Sequence, residues 1–99
     1  MAITGPQCRA ARALIEWPRE QIAKLSGVSV QAIAAFERDG RDPGAVEKQR
    51  LEHALTEGGA VFIAENGGGV GVRLKFSRRD VRALNKWEGE GGPAGEDDV

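Results

Sequence analysis

Gln31 is the side chain of this sequence best suited to reading a flat hydrogen-bonding edge, because its primary amide can donate and accept at the same time. That pairing matches the edge of an adenine base. Ser29, Val30 and Ala34 would share with it the outward side of one short helix. Val30 could then contact the methyl group of a thymine. These four residues are therefore predicted to contact base edges.

Three arginines flank those residues and could bind phosphate groups. Arg19 precedes them, and Arg38 and Arg41 follow them. Arginine side chains commonly fix the position of a protein on a nucleic-acid backbone by donating hydrogen bonds to phosphate oxygens. Each of the three could also be an ordinary solvated charge, but their grouping around one helix favours phosphate contacts.

Catalysis and metal binding have little support in the sequence. The chain has one cysteine, Cys8, one histidine, His53, and no tyrosine, which leaves few groups for acid–base work near neutral pH. The spacing of Cys8 and His53 is not typical of a metal site. The glycine run at residues 67–69 leads into a predicted strand and is not followed by Lys-Ser/Thr, so it is not typical of a phosphate-binding loop. We predict a protein that is not an enzyme and has no cofactor and no metal site.

The residues that must hold Gln31 in place form a predicted pair of short helices over residues 18–38. Gly27 stands where the first helix must end in a left-handed conformation, and Ser29 follows as an N-cap for the second. Apolar residues repeat at helical spacing in both helices: Ile22, Ala23 and Leu25 in the first, and Val30, Ile33 and Phe36 in the second. Helix, glycine turn and helix at this spacing form a helix-turn-helix, whose second helix enters the major groove of DNA.

Four short motifs of this region have characteristic residues and spacing: Gln21-Ile22-Ala23, Ser26-Gly27-Val28-Ser29, Ile33 with Phe36-Glu37, and Gly40-Arg41-Asp42-Pro43. Together they resemble the Xre/Cro-type helix-turn-helix family of bacterial and phage regulators, across roughly residues 4–57. The resemblance implies a mainly α fold of four or five helices, as in phage repressors. It also implies a transcriptional regulator that binds double-stranded DNA with the helix at about residues 29–38. Pro18 departs from the family, in which a small polar cap usually stands at this position.

The second helix is poor in hydrogen-bonding groups, since it contains Ala32, Ala34 and Ala35. Few base contacts imply modest affinity for each monomer, so that specificity should require a homodimer on a two-fold site. Alternatively, the alanine face docks another protein, and the chain is a protein-interaction module, such as an antiactivator or an antitoxin-like partner, with the same fold. A small helical bundle that merely contains such a turn is the structural alternative.

A first helix is predicted from Thr4 or Gly5 to about Glu16, with Pro6 at an early position where its missing amide costs little. Arg12 should point outward from it. The residues expected to face the core in this part of the chain are Cys8, Ala11, Leu14, Ile15 and Trp17.

A fourth helix is predicted over residues 43–57, with Asp42 as its N-cap and Pro43 as its first residue. Its expected core residues are Val46, Leu51, Ala54 and Leu55. With this helix, residues 1–59 are predicted to form the DNA-binding domain.

Residues 60–64 and 70–76 have the composition and alternation of two strands, and the loop between them contains Asn-Gly, so they predict a β-hairpin. A short final helix should follow to about Trp87. An isolated hairpin is marginal in water, and its exposed edge could pair with that of a second copy. We therefore predict a homodimer assembled through residues 60–87; folding of this segment back onto its own helices is the competing explanation.

The formal net charge of −1 conceals an uneven distribution. Residues 88–99 contain five acids and no base, and removing these five negative charges leaves residues 1–87 at +4. A basic body is compatible with nucleic-acid binding. The glycine-rich acidic segment is predicted to be a disordered tail.

A single cysteine fits a reducing compartment, and no apolar run approaches the roughly 18 residues of a membrane span. The N-terminal residues do not resemble a secretory signal. We therefore expect a cytoplasmic protein that associates with DNA.

Overall fold

The computed structural model describes residues 2–75. They form four α-helices followed by two antiparallel strands: α1 (Gly5–Ile15), α2 (Arg19–Ser26), α3 (Val30–Asp39), α4 (Ala45–Glu57), β1 (Ala60–Ile63) and β2 (Gly71–Leu74). This confirms the prediction of a mainly α domain followed by a β-hairpin. The predicted helix that ends near Trp87 and the predicted acidic tail at residues 88–99 lie outside the described residues. None of these four helices is long and apolar enough to cross a lipid bilayer.

Helix α1 begins with a reciprocal capping arrangement. The Thr4 hydroxyl accepts a hydrogen bond from the Gln7 amide at 3.2 Å, and the Gln7 side chain accepts one from the Thr4 amide at 2.9 Å. Pro6 lies in the first turn, and Glu16 ends the helix in a left-handed conformation with φ of 62°. The predicted start and end of α1 are therefore confirmed, although Leu14 is only half-buried.

The turn between α2 and α3 is fixed by three local hydrogen bonds. Gly27 adopts φ of 78°, and its amide donates to the Ala23 carbonyl at 2.9 Å. The Ser26 hydroxyl accepts from the Val28 amide, and the Ser29 hydroxyl accepts from the Ala32 amide, both at 3.1 Å. The left-handed Gly27 and the Ser29 N-cap were both predicted, and both predictions are confirmed.

Helix α4 begins at Ala45, so the prediction that Asp42 and Pro43 form its N-cap and first residue is wrong. The chain turns at Gly44, which has φ of 117°, a conformation in which a helix cannot continue and which side chains disfavour. The Asp42 carboxylate instead accepts hydrogen bonds from the Gly44 amide at 2.7 Å and from Lys48 Nζ at 3.0 Å. Asp42 therefore links the preceding loop to α4 through these two hydrogen bonds and is not the N-cap of that helix.

The core is formed mainly by apolar side chains of the four helices: Ile3, Cys8, Ala11, Ile15, Trp17, Ile22, Val28, Ile33, Phe36, Leu51, Leu55 and Ala60. Val46, which was predicted to join it, is 54% exposed, and Leu25, which was predicted to share the apolar side of α2 with Ile22, is 53% exposed. Ile22 lies on the buried side of α2, whereas Leu25 lies beside the buried strip and contacts solvent. Val46 lies roughly 140° around α4 from the buried Leu51, on the opposite side of the helix.

The hairpin folds back onto the helices of its own chain. β1 pairs with β2 in the register Ala60↔Leu74 through Ile63↔Gly71. The Gln7 side-chain amide of α1 donates hydrogen bonds to the carbonyls of Ile63 at 3.3 Å and of Gly71 at 2.9 Å. Three hairpin side chains pack against the helical core: Phe62, Val72 and Leu74. Residues 60–74 therefore fold back onto the helices of their own chain, as the competing explanation stated. The apolar side of the hairpin is covered in this way, so it no longer argues for a dimer.

Candidate nucleic-acid interface

Only two of the four residues that were predicted to contact base edges are exposed on the outward side of α3. Ser29 and Gln31 are exposed at the N-terminal turn of the helix, whereas Val30 and Ala34 are half-buried. Arg38, near the C-terminal end, and Arg41, just beyond it, are exposed. We call this set of six residues the α3 face: Ser29, Val30, Gln31, Ala34, Arg38 and Arg41.

The opposite side of α3 is anchored in the core. Ile33 is fully buried, Phe36 is 4% exposed, and both belong to the main apolar cluster. Burial of these two side chains fixes the rotation of the helix about its axis, since residues three and four apart share a helical side. Gln31 and Ser29 consequently point away from the body of the protein. The arrangement presents an amide and a hydroxyl to solvent on a rigid helix.

A buried carboxylate, Glu37, ties α3 to the two helices before it. Its side chain is 0% exposed and accepts four hydrogen bonds. Arg12 binds it in a bidentate manner, through Nε at 2.9 Å and Nη2 at 2.8 Å. Arg19 Nε donates at 3.0 Å and Cys8 Sγ at 3.3 Å. Cys8 and Arg12 lie on α1 and Arg19 on α2, so one carboxylate connects three helices.

This cluster corrects the expectation that Arg12 points outward. Arg12 also donates from Nη1 to the Trp17 carbonyl at 3.2 Å, so its guanidinium joins the end of α1 to α3. The cluster itself was not foreseen from the sequence. A signal was present: Glu37 follows Ile33 by four positions and therefore falls on the buried side of α3, where an acid requires a cation.

The electrostatics of the cluster favour the ionised carboxylate. Burial by itself raises the pKa of Glu37, but the hydrogen bonds from Arg12, Arg19 and Cys8 outweigh it and hold that pKa below its ordinary value. The hydrogen bond to Glu37 raises the pKa of Arg12 despite its partial burial. Burial raises the pKa of the Cys8 thiol, and the negative charge of Glu37 raises it further. Cys8 is therefore a neutral donor and not a reactive thiolate.

Arg19, which was predicted to contact phosphate, lies at the first position of α2 with its Nε bonded to Glu37. Its side chain is 24% exposed, and the terminal Nη groups are the donors that could reach a ligand. Pro18 precedes it as the N-cap residue and has no side-chain acceptor for the amides of the first turn. The Arg19 guanidinium and the positive end of the α2 dipole thus both lie at the N-terminus of α2, where an anion would be attracted to both.

A second surface feature is a groove between α2 and α4 whose lining contains no residue of the α3 face. Leu25 of α2 and Val46 of α4 are exposed beside this groove of about 410 Å³, which Arg50 and His53 also line. Within residues 2–75, no group of three or more His, Cys, Asp or Glu side chains comes together to hold a metal ion.

Comparison of the chain with protein-family models and with curated proteins finds no match. The resemblance to the Xre/Cro-type family therefore depends on the residues quoted above.

Proposed function

We propose that this chain is a sequence-specific transcriptional regulator of the Xre/Cro type, which binds double-stranded DNA with α3 in the major groove. The observation that carries the proposal is the exposed N-terminal turn of α3, where Ser29 and Gln31 face solvent on a helix locked by Ile33 and Phe36. In helix-turn-helix proteins this turn of the second helix contacts base edges. The turn before it has the length and the left-handed glycine that the motif requires.

Each residue of the α3 face has a role in this proposal. Gln31 reads an adenine through paired hydrogen bonds, and Val30 contacts a neighbouring thymine methyl. Ser29 and Ala34 lie against the groove. Exposed Arg38 binds a phosphate near the C-terminal end of α3, Arg41 binds one just beyond that end, and Arg19 binds one at the start of α2.

The buried Glu37 supports the same function indirectly. Because its carboxylate holds Arg12 of α1 and Arg19 of α2, it sets the position of α3 relative to both helices. Side chains that contact bases must be held on rigid elements, since a small displacement loses the paired hydrogen bonds. A cluster of this kind preserves the reading geometry in the absence of DNA.

A homodimer through residues 60–87 remains part of the proposal. One α3 contributes few polar groups, and a two-fold pair would place a second copy about 34–36 Å away along the DNA. Since residues 60–74 already pack on α1, the part of the segment beyond Lys75 would carry the contact.

The salt dependence of binding distinguishes this function from a protein-interaction module. Binding to a DNA duplex should weaken steeply with salt, and Arg38→Ala should reduce the slope of log K against log salt by roughly 0.9, the value for one phosphate contact. Arg73→Ala, which removes an exposed arginine from β2, is the matched control and should leave the slope unchanged. A salt-independent affinity, or equal slopes for the wild type and Arg38→Ala, would contradict the proposed phosphate contact.

A further inference from the structure

The loop between the two strands holds an Asn-Gly pair in an exposed position. Asn66 and Gly67 both lie on the surface, and nothing is within 4 Å of where a Cβ of Gly67 would be. Gly67 has φ of 96°, which side chains disfavour. The residue that follows Asn66 therefore has no side chain beside its backbone nitrogen.

The carboxylate of the preceding residue is held against that nitrogen. Glu65 Oε2 accepts hydrogen bonds from the Gly67 amide and from the Gly69 amide, both at 3.0 Å. Two amides on one oxygen keep the carboxylate in place over the loop. The proton of the Gly67 amide consequently points at a base.

The side-chain amide of Asn66 is held over the same peptide. Asn66 Oδ1 accepts a hydrogen bond from the Gly68 amide at 3.1 Å, which folds the side chain back across the intervening residue. That bond also withdraws electron density from the side-chain carbonyl, so that its carbon is more open to attack. The base (Glu65), the side-chain carbonyl (Asn66) and the nucleophile (the Gly67 nitrogen) thus belong to consecutive residues. The Gly68 amide polarises the carbonyl.

We infer that Asn66 is a site of spontaneous deamidation, in which the Gly67 backbone nitrogen attacks the side-chain amide of Asn66 and Glu65 acts as the general base. The Gly67 nitrogen bonds to Cγ and gives its proton to Glu65. The bond from Cγ to the side-chain nitrogen then breaks, and ammonia leaves with the returned proton. Water opens the resulting cyclic imide at either carbonyl and produces aspartate or isoaspartate.

The modification would change the loop in two ways. It adds one negative charge beside Glu65. When the ring opens to isoaspartate, the backbone gains one carbon, which breaks the register of the hydrogen bonds that Glu65 accepts from Gly67 and Gly69. Both products are distinguishable from the original chain by ion exchange and by peptide mapping.

The chain contains an internal comparison for the experiment, because its other asparagine, Asn85, precedes Lys86 and not glycine. The full chain is incubated at neutral pH and physiological temperature, and peptide mapping by mass spectrometry follows the mass gain at each asparagine. In heavy-oxygen water the product should carry the label. We expect Asn66 to convert at least about tenfold faster than Asn85, and Glu65→Gln to slow it by about tenfold.

Two controls distinguish the contribution of the positioned Glu65 carboxylate to the deamidation rate from the contribution of the Asn-Gly sequence alone. Glu57→Gln, which removes an exposed acid at the end of α4, should leave the rate at Asn66 unchanged. In concentrated urea the wild type and Glu65→Gln should react at equal rates, since the carboxylate is no longer held against the nitrogen. If folded Glu65→Gln reacts as fast as the folded wild type, or if Asn66 reacts no faster than Asn85, the inference is overturned.

Discussion

Replacing Glu37 with glutamine removes one charge from the buried cluster while keeping the shape of the side chain. The carboxylate is 0% exposed and receives four hydrogen bonds, three of them from the guanidinium groups of Arg12 and Arg19. The amide of the introduced glutamine would keep one acceptor oxygen and turn its NH₂ donor toward groups that are themselves donors. Glu37→Gln should therefore destabilise the fold through uncompensated positive charge.

The size of the loss in free energy of unfolding depends on how far solvent can hydrate the guanidinium groups of Arg12 and Arg19 once the carboxylate is gone. Removing one partner of a buried ion pair costs about 3–5 kcal/mol of the free energy of unfolding. The side chains of Arg12 and Arg19 are 17% and 24% exposed, so partial hydration offsets some of that loss and favours the lower end, about 3 kcal/mol. For a domain of this size such a loss corresponds to a fall in Tm of about 12–24 °C.

Urea denaturation followed by circular dichroism measures this difference, with Glu57→Gln as the surface control, expected within about 0.5 kcal/mol of the wild type. The pH dependence is a second readout. Because the pKa of Glu37 is depressed in the folded state, its contribution to the free energy of unfolding is fully present above the ordinary pKa of a glutamate and is lost as pH falls through the lower folded value. Glu37→Gln should lack this acid-induced loss. A cost under about 1 kcal/mol, or the same acid dependence in both proteins, would refute the account of the cluster.

Three other outcomes are expected. Gly5→Ala should lower the free energy of unfolding by about 1–3 kcal/mol in urea titrations, because the new Cβ would overlap the Phe36 carbonyl oxygen; an unchanged midpoint would show that α1 can shift. Sedimentation equilibrium at micromolar concentration should find a dimer for the full chain and a monomer for a chain that ends at Lys75. If both chains are dimers, the later residues do not form the interface, and if both are monomers, the proposed dimer is wrong. Deleting residues 88–99 should raise affinity for random duplex DNA at low salt if the five acids compete for the basic surface, and unchanged affinity would dismiss that competition.

Local signals predicted the helix pair well. Gly27 and Ser29 act on their immediate neighbours, through a left-handed φ and a hydroxyl that accepts from the Ala32 amide, so the residue types alone determine the turn. The outward position of Gln31 then follows from the burial of Ile33 at helical spacing. The same reasoning failed at α4, because Asp42 can bond to the Gly44 amide from outside the helix as readily as it can cap one.

The errors beyond single elements have a common physical cause. The apolar pattern indicates a helical side but not which neighbours are present to cover it. For that reason Val46 was assigned to the core and Leu25 to the apolar side of α2, although both are exposed. The Glu37 cluster depends on Arg12, which is 25 positions earlier in the chain, and a charged residue met singly suggests surface. Contacts of this range arise only when the helices are assembled.

Selection from a pool of random duplex DNA at low salt would show whether Gln31 reads bases from the major groove. The full-length wild type, Gln31→Ala and the matched control Gln49→Ala, which truncates an exposed glutamine on α4, are run in parallel. We expect the wild type and Gln49→Ala to enrich the same two half-sites, with centres about 34–36 Å apart. Gln31→Ala should lose the preference for adenine at one base pair in each half-site, a loss of roughly 1–3 kcal/mol in discrimination. Enrichment of no sequence by the folded wild type, or an identical motif for all three proteins, would contradict this role of Gln31.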